Sequence, residues 1–145
     1  DGTIAANDDF WITGVQLNVG DIAAAWNPKS YDNELRACQK YYYKVTSDVA
    51  ISGLYQGSAS SATRVLAPVV FPQLMFKIPT LVATATDFVV SDYAAGTALT
   101  AIAFTNGSKQ TGYIDCTVAA GLIQFRPYGV ETTGTSKSIA FEAEL

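Results

Sequence analysis

The chain has 145 residues, of which 49% are apolar and only 15% charged, with a net charge of -4 and no histidine. That length supports one domain with its own core and is too short for two of ordinary size. Without imidazole, Ser-His and Cys-His catalysis and histidine-ligated zinc are excluded, and an acidic chain lacking a basic cluster argues against nucleic acid as a partner.

Trp11, Thr13, Val15, Leu17 and Val19 alternate onto one face, so residues 10–19 read as a half-buried strand that Gly20-Asp21 ends. Asn27-Pro28 bars helix at Asn27. Ser30 then caps a helix opening at Tyr31, with Asp32 and Glu34 suited to its positive end and Tyr31, Leu35, Cys38 and Tyr42 on one stripe. Residues 41–45 and 50–55 read as strands, and the small polar run 57–61 as a mobile loop. In the strand at 63–70, Pro68 favours an edge or a bulge. Pro72 and Pro79 bracket a rigid connector ahead of a strand at 80–86. Strands at 100–105 and 109–118 flank Asn106-Gly107, the dipeptide best suited to a tight hairpin. A further strand is expected at 122–126, between Gly121 and Pro127. In the last segment Ile139, Phe141, Ala143 and Leu145 share one face, while Ser138, Ala140, Glu142 and Glu144 share a wet one. Eight or nine short strands with one early helix point to an all-β, antiparallel sandwich of jelly-roll type.

Thr, Asp, Gly or Lys interrupts each apolar run before a membrane span or signal core is reached, so a soluble domain without membrane insertion is expected. Asp1 in place of Met suggests a fragment or processed piece. The charged share lies well below the average of about 25%, leaving much uncharged surface, and burial between subunits is the simplest remedy.

Four segments in order resemble the distal region of tailed-bacteriophage tail fibres. They are Val15-Gln16-Leu17-Asn18-Val19-Gly20, the run from Ser30-Tyr31 through Glu34-Leu35 and Cys38-Gln39-Lys40 to Tyr41-Tyr42-Tyr43, the run from Phe71-Pro72 through Met75 to Pro79-Thr80, and the ending Ala143-Glu144-Leu145. The family's forms are VQLE-G, S-Y-x-x-E-L-x-x-C-Q-R-Y-Y, F-P-x-x-M-x-x-x-P-T and A-E-L. Asn18 and Lys40 stand where Glu and Arg are commoner, and 85–137 matches only in general character. The resemblance implies a parallel homotrimer on the fibre axis, assembled in the host cytoplasm and carried on the virion. In that arrangement residues 1–29 are a strand and connector from the shaft or a preceding domain, and 30–145 are the receptor-binding head.

Cys38 and Cys116 are too sparse for a disulfide framework and read as buried free thiols, with a single bridge between them as the alternative. Without imidazole, covalent chemistry would need a facing carboxylate pair, for which Asp87, Asp92, Asp115 and Glu131 show no pairing in sequence. Asp8-Asp9 and Asp87 with Asp92 lack calcium-loop spacing. No catalytic residue, metal or cofactor is therefore expected. Tyr41–Tyr43 and Trp26 read as core, interface or packing anchors.

Sugars present C–H faces beside ringed hydroxyls, so a site for them needs an aromatic platform edged by hydrogen-bonding side chains. Three groupings offer this: Asp92-Tyr93, Arg126 with Tyr128 near Glu131, and Tyr55-Gln56. The expected function is host attachment by non-covalent binding of surface polysaccharide or lipopolysaccharide. The alternatives are a structural trimerisation or capping module of a tail or head fibre, and a capsule depolymerase.

Overall fold

Local chemistry sets the first element. The computed structural model describes residues 28–144; the strand expected at 10–19, Trp26 and Leu145 lie outside them. Helix α1 (Tyr31–Gln39) opens at Ser30, whose Oγ accepts from the Asn33 amide at 3.4 Å, with Asp32 and Glu34 in the first turn as expected. None of its residues is buried. Cys38 is therefore an exposed free thiol, which corrects the expectation of a buried one, because the stripe it shares with Tyr31 and Leu35 faces outward. Cys116 is free and buried, as expected.

Nine strands follow: β1 (Tyr42–Thr46), β2 (Gly53–Ser61), β3 (Arg64–Val70), β4 (Thr80–Val82), β5 (Phe88–Ser91), β6 (Gly96–Thr105), β7 (Thr111–Val118), β8 (Pro127–Thr132) and β9 (Ser138–Glu142). Every pairing is antiparallel. The expectation of an all-β antiparallel fold with one short helix holds. The strand order differs from a jelly roll: β2-β3-β7-β6-β5-β8 closes into a barrel, and β1-β9-β4 forms a separate three-stranded sheet. Closure follows from β2, which pairs with β8 over Gly53 to Ser58 and with β3 over Ser58 to Ser61, with irregular register between Gly53 and Tyr55 and between Ala59 and Ser61.

Alternation fills the barrel. Val65, Ala67 and Val69 of β3 face inward with Ile114, Cys116 and Val118 of β7, Phe88 and Val90 of β5, and Tyr128 and Val130 of β8. The small sheet joins this core through aromatic rings, with Phe141 of β9 edge-on to Phe71 at 4.9 Å and to Phe104 at 5.4 Å. Ile139 and Phe141 are buried as expected, but so is Ala140 on the supposedly wet face, because β9 is the central strand between β1 and β4.

Several boundaries differ from expectation. The run 57–61 is no mobile loop but the second half of β2, and Ala59 there has no exposed surface. Its small residues serve the strand crossing: a Cβ on Gly57 would stand 2.3 Å from the Leu66 carbonyl oxygen. Pro68 lies beyond the last β2–β3 pair, Ser58 with Leu66, so its missing amide falls where β3 has only β7 beside it. The strand expected at 80–86 stops at Val82, and a single 3-10 turn (Ala85–Asp87) follows. Asn106-Gly107 opens a five-residue connection rather than a two-residue turn; Asn106 is left-handed at φ 48°, and Ser108 Oγ accepts from the amides of Gln110 and Thr111. Residues 122–126 form a loop, and the strand begins at Pro127.

Candidate functional site

The connection between β5 and β6 is braced by its own side chains. Asp92 Oδ1 accepts from the amides of Ala94 and Ala95, both at 3.1 Å, and Ser91 Oγ accepts from the Tyr93 amide at 2.9 Å. Between these braces Tyr93 is held left-handed at φ 70° with 73% of its surface exposed. That conformation costs a residue other than glycine about 1–2 kcal/mol. An exposed ring held at that expense is a feature that binding surfaces use.

A second loop arrives from β7. Residues 119–126 are tied to the β2–β3 hairpin by the Leu122 amide on the Ala62 carbonyl, the Phe125 amide on Ala59, and the Gln124 side chain on Ser60. Phe125 is also left-handed, at φ 66°, and 81% exposed. The next residue, Arg126, reaches Asp92 Oδ2 at 3.1 Å and joins the two loops. On the β2 side, Gln56 Nε2 donates to the Tyr93 hydroxyl at 2.5 Å.

The fold thus brings Gln56 from within β2 together with Asp92 and Tyr93 from just past the end of β5 and Arg126 from just before the start of β8. The amides of Ala95 and Ala94, with a smaller pull from Arg126, hold the Asp92 carboxyl below its ordinary value, so it is ionised at neutral pH. Tyr128 and Tyr55 differ from expectation. Tyr128 is 6% exposed because the alternation of β8 turns its ring inward, where its hydroxyl accepts from the Ile123 amide at 3.0 Å and anchors the loop. Tyr55 packs against the core with its hydroxyl buried and unpartnered among the described residues, and burial, helped by Tyr43, raises its pKa.

Two depressions lie on either side of Gln56. A groove of about 550 Å³ opens where β2 leaves β3 for β8, between Gln56 and Ser58 on one side and Leu66, Pro68, Tyr113 and Pro127 on the other. A smaller pocket of about 250 Å³ is lined by Gly53, Tyr55, Gln56, Tyr93, Gly129 and Glu131. Phe125, Pro68 and Tyr113 went unsuspected. Tyr113 stands opposite Pro68 only through the β3–β7 register, and no motif marks a left-handed Phe.

Three of the four acids considered for covalent chemistry pair with cations: Asp87 with Lys137 at 2.7 Å, Asp92 with Arg126, and Asp115 with Arg64 through two hydrogen bonds from Nε at 2.8 Å. Among the described residues no three His, Cys, Asp or Glu side chains are grouped to hold a metal, and no helix is long and apolar enough to cross a membrane. Comparison of the chain with family models, with curated proteins and with solved structures finds no match.

Proposed function

We propose that this chain is a host-attachment domain of a tailed-phage tail fibre, which binds surface polysaccharide or lipopolysaccharide without covalent chemistry. The observation that carries the reading is the convergence of Gln56, Asp92 and Arg126 around an exposed Tyr93 ring held left-handed. An aromatic face with an amide at its hydroxyl, next to a carboxylate that holds a guanidinium, suits the C–H faces and hydroxyls of a sugar. The motif resemblance supports the fibre context, the virion location and a homotrimer. Exposed Tyr31, Leu35, Tyr42, Phe76 and Val82 on α1, the small sheet and the segment leading to it support burial between subunits. The same side chains favour a second reading, in which the domain is a trimerisation or capping module and another part of the fibre recognises the host. Cation pairing of Asp87, Asp92 and Asp115 supports binding over hydrolysis.

In a trimer three weak sites act together, so attachment needs little affinity from each. The test is retention of bacterial surface polysaccharides and lipopolysaccharides on immobilised protein. Weak single-site binding is expected, with Kd of order 1 mM, and its loss in Tyr93→Ala. A protein that retains none of them, or whose retention is unchanged in Tyr93→Ala, contradicts the reading.

A further inference from the structure

The small pocket sits on the outer face of the β2–β8 pair, and strand register explains why it is open. Gly53 stands opposite Glu131, and Gln56 stands opposite Gly129. The intervening Tyr128 and Val130 point into the barrel, so the outward positions of this ladder alternate glycine with a long polar side chain. A Cβ built on Gly53 meets nothing within 4 Å, and one on Gly129 would lie 3.4 Å from Glu131 Oε1. Two bare glycines therefore leave a depression flanked by the Gln56 amide and the Glu131 carboxylate, and Tyr93 lines it from the neighbouring loop.

Resting on the attachment reading, the geometry points to this pocket as the seat of one neutral sugar ring with vicinal hydroxyls, drawn from an uncharged polysaccharide. The charge inventory decides the class. Among the described residues Glu131 has no cationic partner, and Arg126, the basic residue of this face, is committed to Asp92. A uronate, sialate or phosphate would meet the Glu131 carboxylate with no unpaired cation to offset the like charge. Adjacent sugar hydroxyls can instead donate to the two oxygens of Glu131, while Gln56 both donates and accepts. Gln56 also lines the larger groove, so a chain leaving the pocket has a place for its next unit against Pro68, Tyr113 and Pro127.

The test uses the full chain, immobilised, against neutral polymers (mannan, galactan, dextran) and acidic ones (polygalacturonate, polysialate), at low salt and at about 1 M, where charge interactions are screened within ~3 Å. The expected result is retention of a neutral polymer that high salt leaves unchanged and mild periodate, which cleaves vicinal diols, abolishes. Gly53→Val should keep the melting temperature, because its side chain enters open space in a strand, and weaken binding by about tenfold or more. Glu131→Gln should weaken it less, and Glu131→Lys should gain an acidic polymer. A preference for acidic polymers, or undiminished binding in a folded Gly53→Val, overturns this assignment and leaves the attachment reading standing. Failure to retain any of these polymers overturns the assignment, and failure to retain the bacterial surface polysaccharides and lipopolysaccharides as well sinks both.

Discussion

Replacing Tyr93 by glycine and by alanine separates the conformation of this residue from its ring. Both variants lose the aromatic face and the hydrogen bond from Gln56, so the loss of contacts is common to the two. They differ in backbone. At φ 70° alanine retains a left-handed penalty of about 1–2 kcal/mol that glycine escapes. Glycine in turn loses more chain entropy on folding, about 0.5–1 kcal/mol relative to alanine. The balance leaves Tyr93→Gly more stable than Tyr93→Ala by roughly 0.5–1 kcal/mol, or about 2–4 °C in melting temperature for a domain of this size. Urea denaturation followed by tryptophan and tyrosine fluorescence, paired with calorimetry, measures the difference. Both variants should lose polysaccharide retention equally. An alanine variant as stable as the glycine variant, or more so, would show that the loop does not hold Tyr93 left-handed in solution, and the reasoning about an exposed, pre-set ring would fail with it.

Native thiol titration should modify Cys38 readily and leave Cys116 untouched until the protein unfolds, because burial, with the nearby Asp115 adding to it, pushes the Cys116 thiol up to about 12; two fast thiols by mass spectrometry would contradict the barrel packing. Tyr55→Phe removes a buried hydroxyl without a partner among the described residues, so stability should rise by about 1 kcal/mol, and a loss of that size in denaturant unfolding would reveal a bond the structure lacks. Asp92, held below its ordinary value, contributes stability that is complete above about pH 4, the unfolded carboxylate range, and is lost as pH falls through the lower folded value. Amide exchange at Ala94 and Ala95 should thus show the same protection from pH 8 to 5, once corrected for intrinsic rates, and loss of protection in stronger acid; loss already near pH 6 would contradict the assigned bonds.

Features that depend on a few neighbouring residues were legible in the sequence. Ser30 caps its helix because Ser, Asp and Glu lie at the right spacing, and the period-two spacing of Ile139 and Phe141 places both in the core, although Ala140 between them is buried too. Features that depend on distant partners were not. The small residues at 57–61 look like a loop, yet β2 needs them to pass within reach of the Leu66 carbonyl. Cys38 sits on a helical stripe that suggests burial, but nothing within the described residues covers it. The β8 boundary was missed because Phe125 turns left-handed one residue before Arg126, which shifts the strand to Pro127. Of the candidate site, residue type alone nominates Gln56, Asp92, Tyr93 and Arg126, and the structure links Gln56 to Tyr93 and Arg126 to Asp92. Their meeting depends on barrel closure, and the inward turn of Tyr128 depends on a strand register that no local pattern encodes.

Amide chemical-shift mapping of the isotopically labelled protein, titrated with an oligosaccharide cut from a retained polysaccharide, tests the central claim most directly. The expected result is a contiguous set of shifts at 53–57, 91–96 and 126–131. Shifts confined to α1 and the exposed apolar side chains from Phe76 to Val82, with the Tyr93 loop silent, would contradict it.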